Sequence, residues 1–495
     1  MNALIGTWRR RLLIAVGATL FTFAMTLAWM LYADSRESQY FTDEDFMKRL
    51  VHFPVWMGIC VFTVSTFFVF CVVDTARAQA VAAKNPVLAE APKPFVAQVV
   101  GLAWLNPLQR RDYPTEWQIL WALDLVRPNK NDDMVRTDPA SFTTLQPVAG
   151  IAYGNRGRET FDGFYEKYID KLLLLFSDRY AMNAKYFYTV GPESRKKWRE
   201  LAGVHVEFAI PSDRIDPVEA ATYLSRRMVS FFMIGNKWFP DLWSKATPPD
   251  VRVTPGGPNA GFTSLNAALD YLQSHPQESV WVMNWDAPSF PPKDNQLNEN
   301  IALLILAGPQ MKTERAPLAW IGKAATGNVK DYEKTAGTTR AIQAWKAAIA
   351  AAANNANVSV NDIDYVVHDA GKGSDEASQR IGTLGRTLTE TLPEFDFQKQ
   401  TFNTAGLLGY MGAGTALTNV VLAIGRANHL GGNVLVAGTT NSDEPVAVVI
   451  TPPDKLNPID PDADWFRARG EGYAYLPWWG RRYDETYNNW QGWSW

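Results

Sequence analysis

Cysteine is almost missing from this chain. There are two, Cys60 and Cys71, and both lie in a hydrophobic stretch near the N-terminus. That excludes a disulfide framework and a paired-cysteine zinc site, and leaves the rest of the sequence without a thiol. Histidine is also sparse. His52, His205, His275, His368 and His429 are scattered, with no HExxH or other short metal spacing, so no metal and no cofactor is expected. An excess of one charge is lacking as well. The formal net charge of −3 comes with no dense basic stripe and no nucleic-acid-binding signature, which excludes a nucleic-acid partner. What is present is apolar: 47% hydrophobic against 20% charged residues over 495 positions, enough for a folded protein with a sizeable core.

Two long uncharged runs stand at the N-terminal end. Leu12 to Tyr32 carries no charge and, as a helix, spans roughly 30 Å, the thickness of bilayer hydrocarbon. Val55 to Val73 is a second such run, and Trp29, Tyr32 and Trp56 near the ends suit the interfacial belt. A cleaved signal peptide is the competing reading of the first run, since Arg9, Arg10 and Arg11 resemble its basic end. Its apolar core is too long, and Leu31-Tyr32-Ala33 is a poor cleavage site. Lysine and arginine outside the runs outnumber those in the short connecting loop, so both termini are expected in the cytoplasm. Residues 1–94 thus read as a two-span anchor (about 12–32 and 55–73) with an Ala- and Pro-rich linker.

From 95 to 455, short apolar runs alternate with helical patterns, which predicts an α/β domain. Strands are expected at 95–105, 278–286, 301–306, 364–368, 433–438 and 446–452, with helices at 266–274, 339–352 and 416–428. The closing segment, 456–495, is rich in Trp and Tyr. It reads either as an aromatic extension packed on the core or as a partner-binding surface, with Trp478, Trp479, Tyr483 and Trp490 the candidate contacts.

Beyond Thr339 the motifs become specific. An alanine-rich helix leads into Ile363-Asp364-Tyr365-Val366-Val367-His368, then the glycine-rich Asp369-Ala370-Gly371-Lys372-Gly373-Ser374. Asn403-Thr404-Ala405-Gly406-Leu407-Leu408-Gly409-Tyr410 follows. These segments resemble the C-terminal half of the thiolase-like ketosynthases, which implies a layered αβαβα domain. In that resemblance His368 falls on a catalytic histidine that donates to an oxyanion. Gly409 keeps a family glycine, while Ala405 replaces the family's lysine and Tyr410 its second histidine. The nucleophile belongs in the turn Pro255-Gly256-Gly257-Pro258-Asn259-Ala260-Gly261-Phe262, where there is no Cys, Ser or Thr. Groups that act as a unit lose nearly all rate when one is removed, so a vestigial pocket and a pseudo-enzyme are expected.

Two N-terminal helices, a degenerate thiolase-like domain and a Trp-rich end together resemble the type VI secretion lipase-adaptor family. That resemblance implies a non-catalytic bacterial protein of the inner membrane, with its soluble domain in the cytoplasm. Its implied partners are a phospholipase effector and the secretion spike protein. Thiolase-like domains commonly dimerise, so a homodimer is implied too. Two other functions fit the residues: an acyl-thioester condensing or decarboxylating enzyme using His368, and an envelope scaffold.

Overall fold

The computed structural model describes residues 94–105, 161–182, 204–232, 247–287, 300–312, 316–392 and 394–458, together with shorter pieces including parts of 15–59. The chain divides into two units, Met1–Pro92 and Lys93–Trp495. In the first unit, residues 15–16, 19–29 and 31–32 are helical, and of the second expected span only 55, 56 and 59 are described. Among the described residues no helix is long and apolar enough to cross a membrane. Trp478, Trp479, Tyr483 and Trp490 lie outside the described residues.

The second unit is built on ten principal strands: β1 (Ala97–Leu105), β2 (His205–Pro211), β3 (Asp250–Gly256), β4 (Ser279–Asp286), β5 (Asn300–Ala307), β6 (Ala319–Ile321), β7 (Ile363–His368), β8 (Thr401–Asn403), β9 (Asn433–Gly438) and β10 (Val446–Thr451). Among the described residues, six longer helices accompany them: α1 (Phe161–Met182), α2 (Pro217–Phe231), α3 (Ala260–Ser274), α4 (Arg340–Asn355), α5 (Asp375–Thr391) and α6 (Thr415–Leu430).

The strand order reveals an internal duplication. It runs β3-β2-β4-β5-β1 and continues β6-β10-β9-β7-β8. Each half therefore repeats the same order, shifted by five strands. In the first half β3, β2 and β4 are parallel and β5 is antiparallel to β4 and β1. In the second half β8, β7 and β9 are parallel and β10 is antiparallel to β9 and β6. The two halves join where β1 pairs with β6, Ala97 opposite Ile321.

Side-chain burial arranges these elements in five layers. Leu172, Leu224 and Met228 of α1 and α2 pack with Phe208, Met283 and Leu303 on one face of the first half-sheet. Leu265, Leu269, Val420 and Ile424 of α3 and α6 form a middle layer touching both half-sheets. Ile349 and Leu384 of α4 and α5 close the far side, against Val366 and Val449. This α/β/α/β/α order is the thiolase-like arrangement that the sequence implied. It also explains why β4 and β5 are mostly apolar and buried along their whole length, since both faces of each are covered.

Local sequence sets the helix starts. Asp216 accepts hydrogen bonds from the Val218 and Glu219 amides ahead of α2, and Pro217 occupies the first helical position. Thr339 and Ser374 do the same for α4 and α5. α3 begins six residues before the expected Asn266, because Gly261 reads as a turn residue but serves as a contact. A Cβ there would stand 2.9 Å from the Ala416 Cβ, so the two middle helices cross at touching distance. Four strands, β2, β3, β6 and β8, escaped the sequence reading. β2 buries His205 and Glu207, whose side chains meet at 2.6 Å, while Asp250 lies 3.0 Å from the other imidazole nitrogen. The ring also stacks on Tyr271, with centroids 4.1 Å apart.

Gly261→Leu should force α3 and α6 apart and cost about 2–3 kcal/mol in denaturant unfolding followed by tryptophan fluorescence. Gly257→Ala, where an added Cβ meets nothing within 4 Å, should cost under about 0.5 kcal/mol. Equal losses would rule out helix crossing as the cause.

Candidate functional site

In each half the parallel strands end at the same side of the middle layer, where open α/β sheets place their ligands. Two connections meet there, and they are equivalents under the duplication. One is the turn from β3 into α3, residues 256–260; the other runs from β8 through a short helical turn, Thr404–Leu408, into α6. Each packs on the strand end of the opposite half. Asn259, just before α3, sits against Gly438 at the end of β9, where an added Cβ would fall 2.8 Å from the Asn259 Oδ1. Reciprocally, the Ala413 amide donates to Asp286 Oδ2, at the end of β4, at 2.9 Å.

The residues expected to carry the chemistry occupy this region unevenly. Asn259 and Ala260 stand where α3 begins, and neither is a nucleophile. His368 ends β7, but its ring turns to the outer layer. It lies 5.8 Å from the Phe397 ring and is 1% exposed, on the same side as Val366, whereas Val367 faces the middle layer. Burial lowers its pKa to about 4, and Nδ1 accepts the Ala370 amide at 3.3 Å, so the ring is neutral. Ala405 lies in the short helical turn. Gly409 ends that turn at φ +79, a left-handed conformation that disfavours side chains. Tyr410 is the exposed member of the set, with 51% of its surface accessible.

Three residues that sequence reasoning missed shape the site: Asp286, Asp369 and Arg214. Asp369 is buried and accepts from the Thr439 amide at 2.6 Å, the Thr439 hydroxyl at 2.7 Å and the Thr440 hydroxyl at 2.8 Å. It thereby ties the end of β7 to the end of β9. Asp286 accepts from the Ala287 amide as well as Ala413, and is hydrogen-bonded to Arg214, whose guanidinium also donates to the Ala287 carbonyl at 2.7 Å. Burial raises the Asp286 pKa to about 6 despite Arg214 and the two amides. Burial also raises that of the Tyr410 hydroxyl, helped by the charges of Asp286 and Asp369. The phenol stays protonated and can donate a hydrogen bond, but offers no base. An acidic residue directly after an apolar strand, as in Trp285-Asp286 and His368-Asp369, was the signal available in the sequence.

Asn403 completes the frame. Its side chain accepts from the Gly371 amide at 3.1 Å and the Gly406 amide at 3.0 Å, and donates to the Gly371 carbonyl at 2.6 Å. The glycine-rich loop after β7 and the turn before Tyr410 are thus held by one amide. The carboxylates here are engaged by loop amides, hydroxyls and a guanidinium, an arrangement that fastens loops together.

Residues 323–452 match the family model described as type VI lipase adapter protein Tla3, C-terminal. The resemblance to the lipase-adaptor family holds there. That segment includes β7, β8, α6 and the His368–Tyr410 loops. No match was found among curated proteins. Among solved structures, the chain is similar to the OzmH KS8 oxazolomycin ketosynthase domain of Streptomyces albus JA3453, at 14% identity over 74% of this chain and 98% of that one, with a TM-score of 0.44. The 3-oxoacyl-[acyl-carrier-protein] synthase III of Aquifex aeolicus VF5 is similar at 11% identity, over 72% and 99% of the two chains, with a TM-score of 0.39. At such scores the fold assignment rests on the strand order and layers.

Acid sensitivity follows from the buried groups. His368 and His429 have pKa values lowered by burial from 6.5 to about 4 and about 3. Each contributes stability that is present above pH 6.5 and lost as pH falls through that range. Asp286, raised from 3.8 to about 6, acts oppositely: its contribution is full below pH 3.8 and lost as pH rises through 6. Lowering the pH from 7.5 to 5 should therefore cost roughly 2 kcal/mol per histidine and return about 1 kcal/mol at Asp286. Asp286→Asn should make the acid loss steeper by that last amount in urea titrations, and an unchanged pH slope would contradict the assignment.

Proposed function

We propose that the chain is a non-catalytic, membrane-anchored adaptor that binds a phospholipase effector and helps deliver it to the type VI secretion spike. The observation that carries this reading is the lipase-adapter match over 323–452, the segment that holds the loops of the former catalytic pocket. Geometry supports the non-catalytic part. The start of α3 has Asn259 and Ala260 in place of a nucleophile, and the His368 ring is buried against the outer layer. Cys60 and Cys71 cannot substitute, since they belong to the apolar run 55–73.

Anchoring in the bacterial inner membrane, with both termini and the soluble domain in the cytoplasm, is supported by the two uncharged runs and their flanking arginines. The helical residues 19–29 carry exposed Leu20, Phe21, Met25 and Trp29, which suits a lipid environment better than water. A homodimer is supported by β3, which ends the strand order among the described residues.

The test uses the full chain in nonionic detergent, with a type VI phospholipase effector and a spike protein from the same organism. The lipase should co-elute with the adaptor, and acyl-thioester turnover should be absent and insensitive to His368→Ala. Turnover that this substitution abolishes, or failure to retain the lipase, would sink the reading.

A further inference from the structure

The chain enters and leaves the layered domain at one place, far from the vestigial pocket. β1 runs toward the pocket, since its last residue, Leu105, pairs with Ile301 beside the Asp286–Asn300 pair. Its first residues therefore lie at the opposite end of the sheet, where Phe95 packs on the middle layer. The closing segment leaves from that same end. The Leu318 amide donates to the Val99 carbonyl at 2.7 Å, the Asn428 side chain to the Leu318 carbonyl at 2.7 Å, and the Asn457 amide to the Asn428 carbonyl at 2.9 Å. Three hydrogen bonds thus tie the exit at Asn457 to the entry strand. α6, whose first turn meets α3 at the pocket, ends here after 16 residues, about 24 Å away.

This end carries exposed apolar side chains. Leu430 closes α6 at 46% exposure, and Leu456 stands at 39%. The two are neighbours, since a Cβ on Gly431 would lie 3.2 Å from Leu456 Cδ1. A single exposed leucine needs no explanation, but this pair borders the departure of a strongly aromatic segment. Residues 459–495 hold eleven aromatic residues, six of them Trp, and only Ile459 and Leu476 as large aliphatics. A segment that fills a core is rich in Leu, Ile and Val. Trp and Tyr without them, interspersed with Arg467, Arg469, Arg481 and Arg482, offer apolar bodies with polar edges. That chemistry matches the headgroup level of a bilayer, where one side of a ring is apolar and the other wet. The entry strand leads toward lipid as well: residues 74–94 alone separate Phe95 from the second uncharged run, 55–73.

We propose that residues 459–495, with Leu430 and Leu456 beside their exit, form a second membrane contact in the headgroup region of the phospholipid bilayer. The inference rests on the membrane-anchor reading for the presence of a bilayer at this end, while the affinity of the aromatic segment for lipid is independent of it. Two attachments at one end restrict the domain's orientation, where a single linker leaves it free to turn. The loops at 256–260 and 403–414, at the other end of α6, then face away from the lipid and stay open to a soluble partner.

The experiment reconstitutes the full chain in vesicles of phosphatidylethanolamine and phosphatidylglycerol. Tryptophan fluorescence is compared with and without added phosphatidylcholine brominated high on its acyl chains, which quenches only rings in contact with lipid. Trp478→Ser, Trp479→Ser, Trp490→Ser and Trp493→Ser together should lower the bromine-quenched signal about twofold. Leu430→Glu with Leu456→Glu should lower it in the same direction with every tryptophan in place. Trp29→Phe with Trp56→Phe reports separately on the two spans. An unchanged quenched signal in both the four-Trp and the double-Glu variants would overturn the proposal. Loss of effector co-elution in the four-Trp variant at unchanged quenching would make the segment a protein-binding surface instead. If the anchor substitutions change nothing while the closing-segment substitutions do, the two-span reading falls and the lipid contact stands. If only the anchor substitutions lower the signal, the spans stand and the contact falls.

Discussion

Everything at the candidate site depends on how closely α3 approaches α6. The contact of Gly261 with Ala416 brings two helix starts together in the middle layer, and a larger residue at either position would separate them. Because the two halves are equivalent, that contact also fixes the loops leading into both helices. Asn259 then reaches the end of β9, and Ala413 reaches Asp286 at the end of β4. The interlock is reciprocal, so the halves cannot slide against one another without breaking both contacts.

Buried acids convert this packing into a closed frame. Asp369 joins β7 to β9 through Thr439 and Thr440, and Asp286 joins β4 to the loop before α6. The hydrogen-bonding capacity of these two carboxylates is taken up by the fold itself. A preformed surface loses little conformational freedom when a partner arrives.

Much of the layered core was legible from apolar runs. β4, β5, β9 and β10 are short, apolar and covered on both faces, so they announce themselves as buried strands. β2 did not, because His205 and Glu207 look like surface residues until their mutual hydrogen bond and the Asp250 partner are seen. β3 ends in Pro255-Gly256, which reads as a turn; as an edge strand it tolerates both. The duplication left no repeat in the sequence, since the halves share strand order and not residues. At the site, the identity of the strand carrying His368 was readable, but not the face its ring takes. Val366 and Val367 are both fully buried, so polarity along β7 gives no signal of inside or outside.

The pairing of β1 has a kinetic consequence. Its partners β5 and β6 lie far along the chain, and the side-chain bond from Gln98 to the Gly308 carbonyl closes a separation of 210 residues. At ribosomal rates of about 5–20 residues per second, that interval takes roughly 10–40 seconds. Throughout it the strand AQVVGLAWL, which follows the apolar N-terminal region, waits without its neighbours. The nascent chain must therefore keep one of its most apolar segments from premature pairing before the first half-sheet can close.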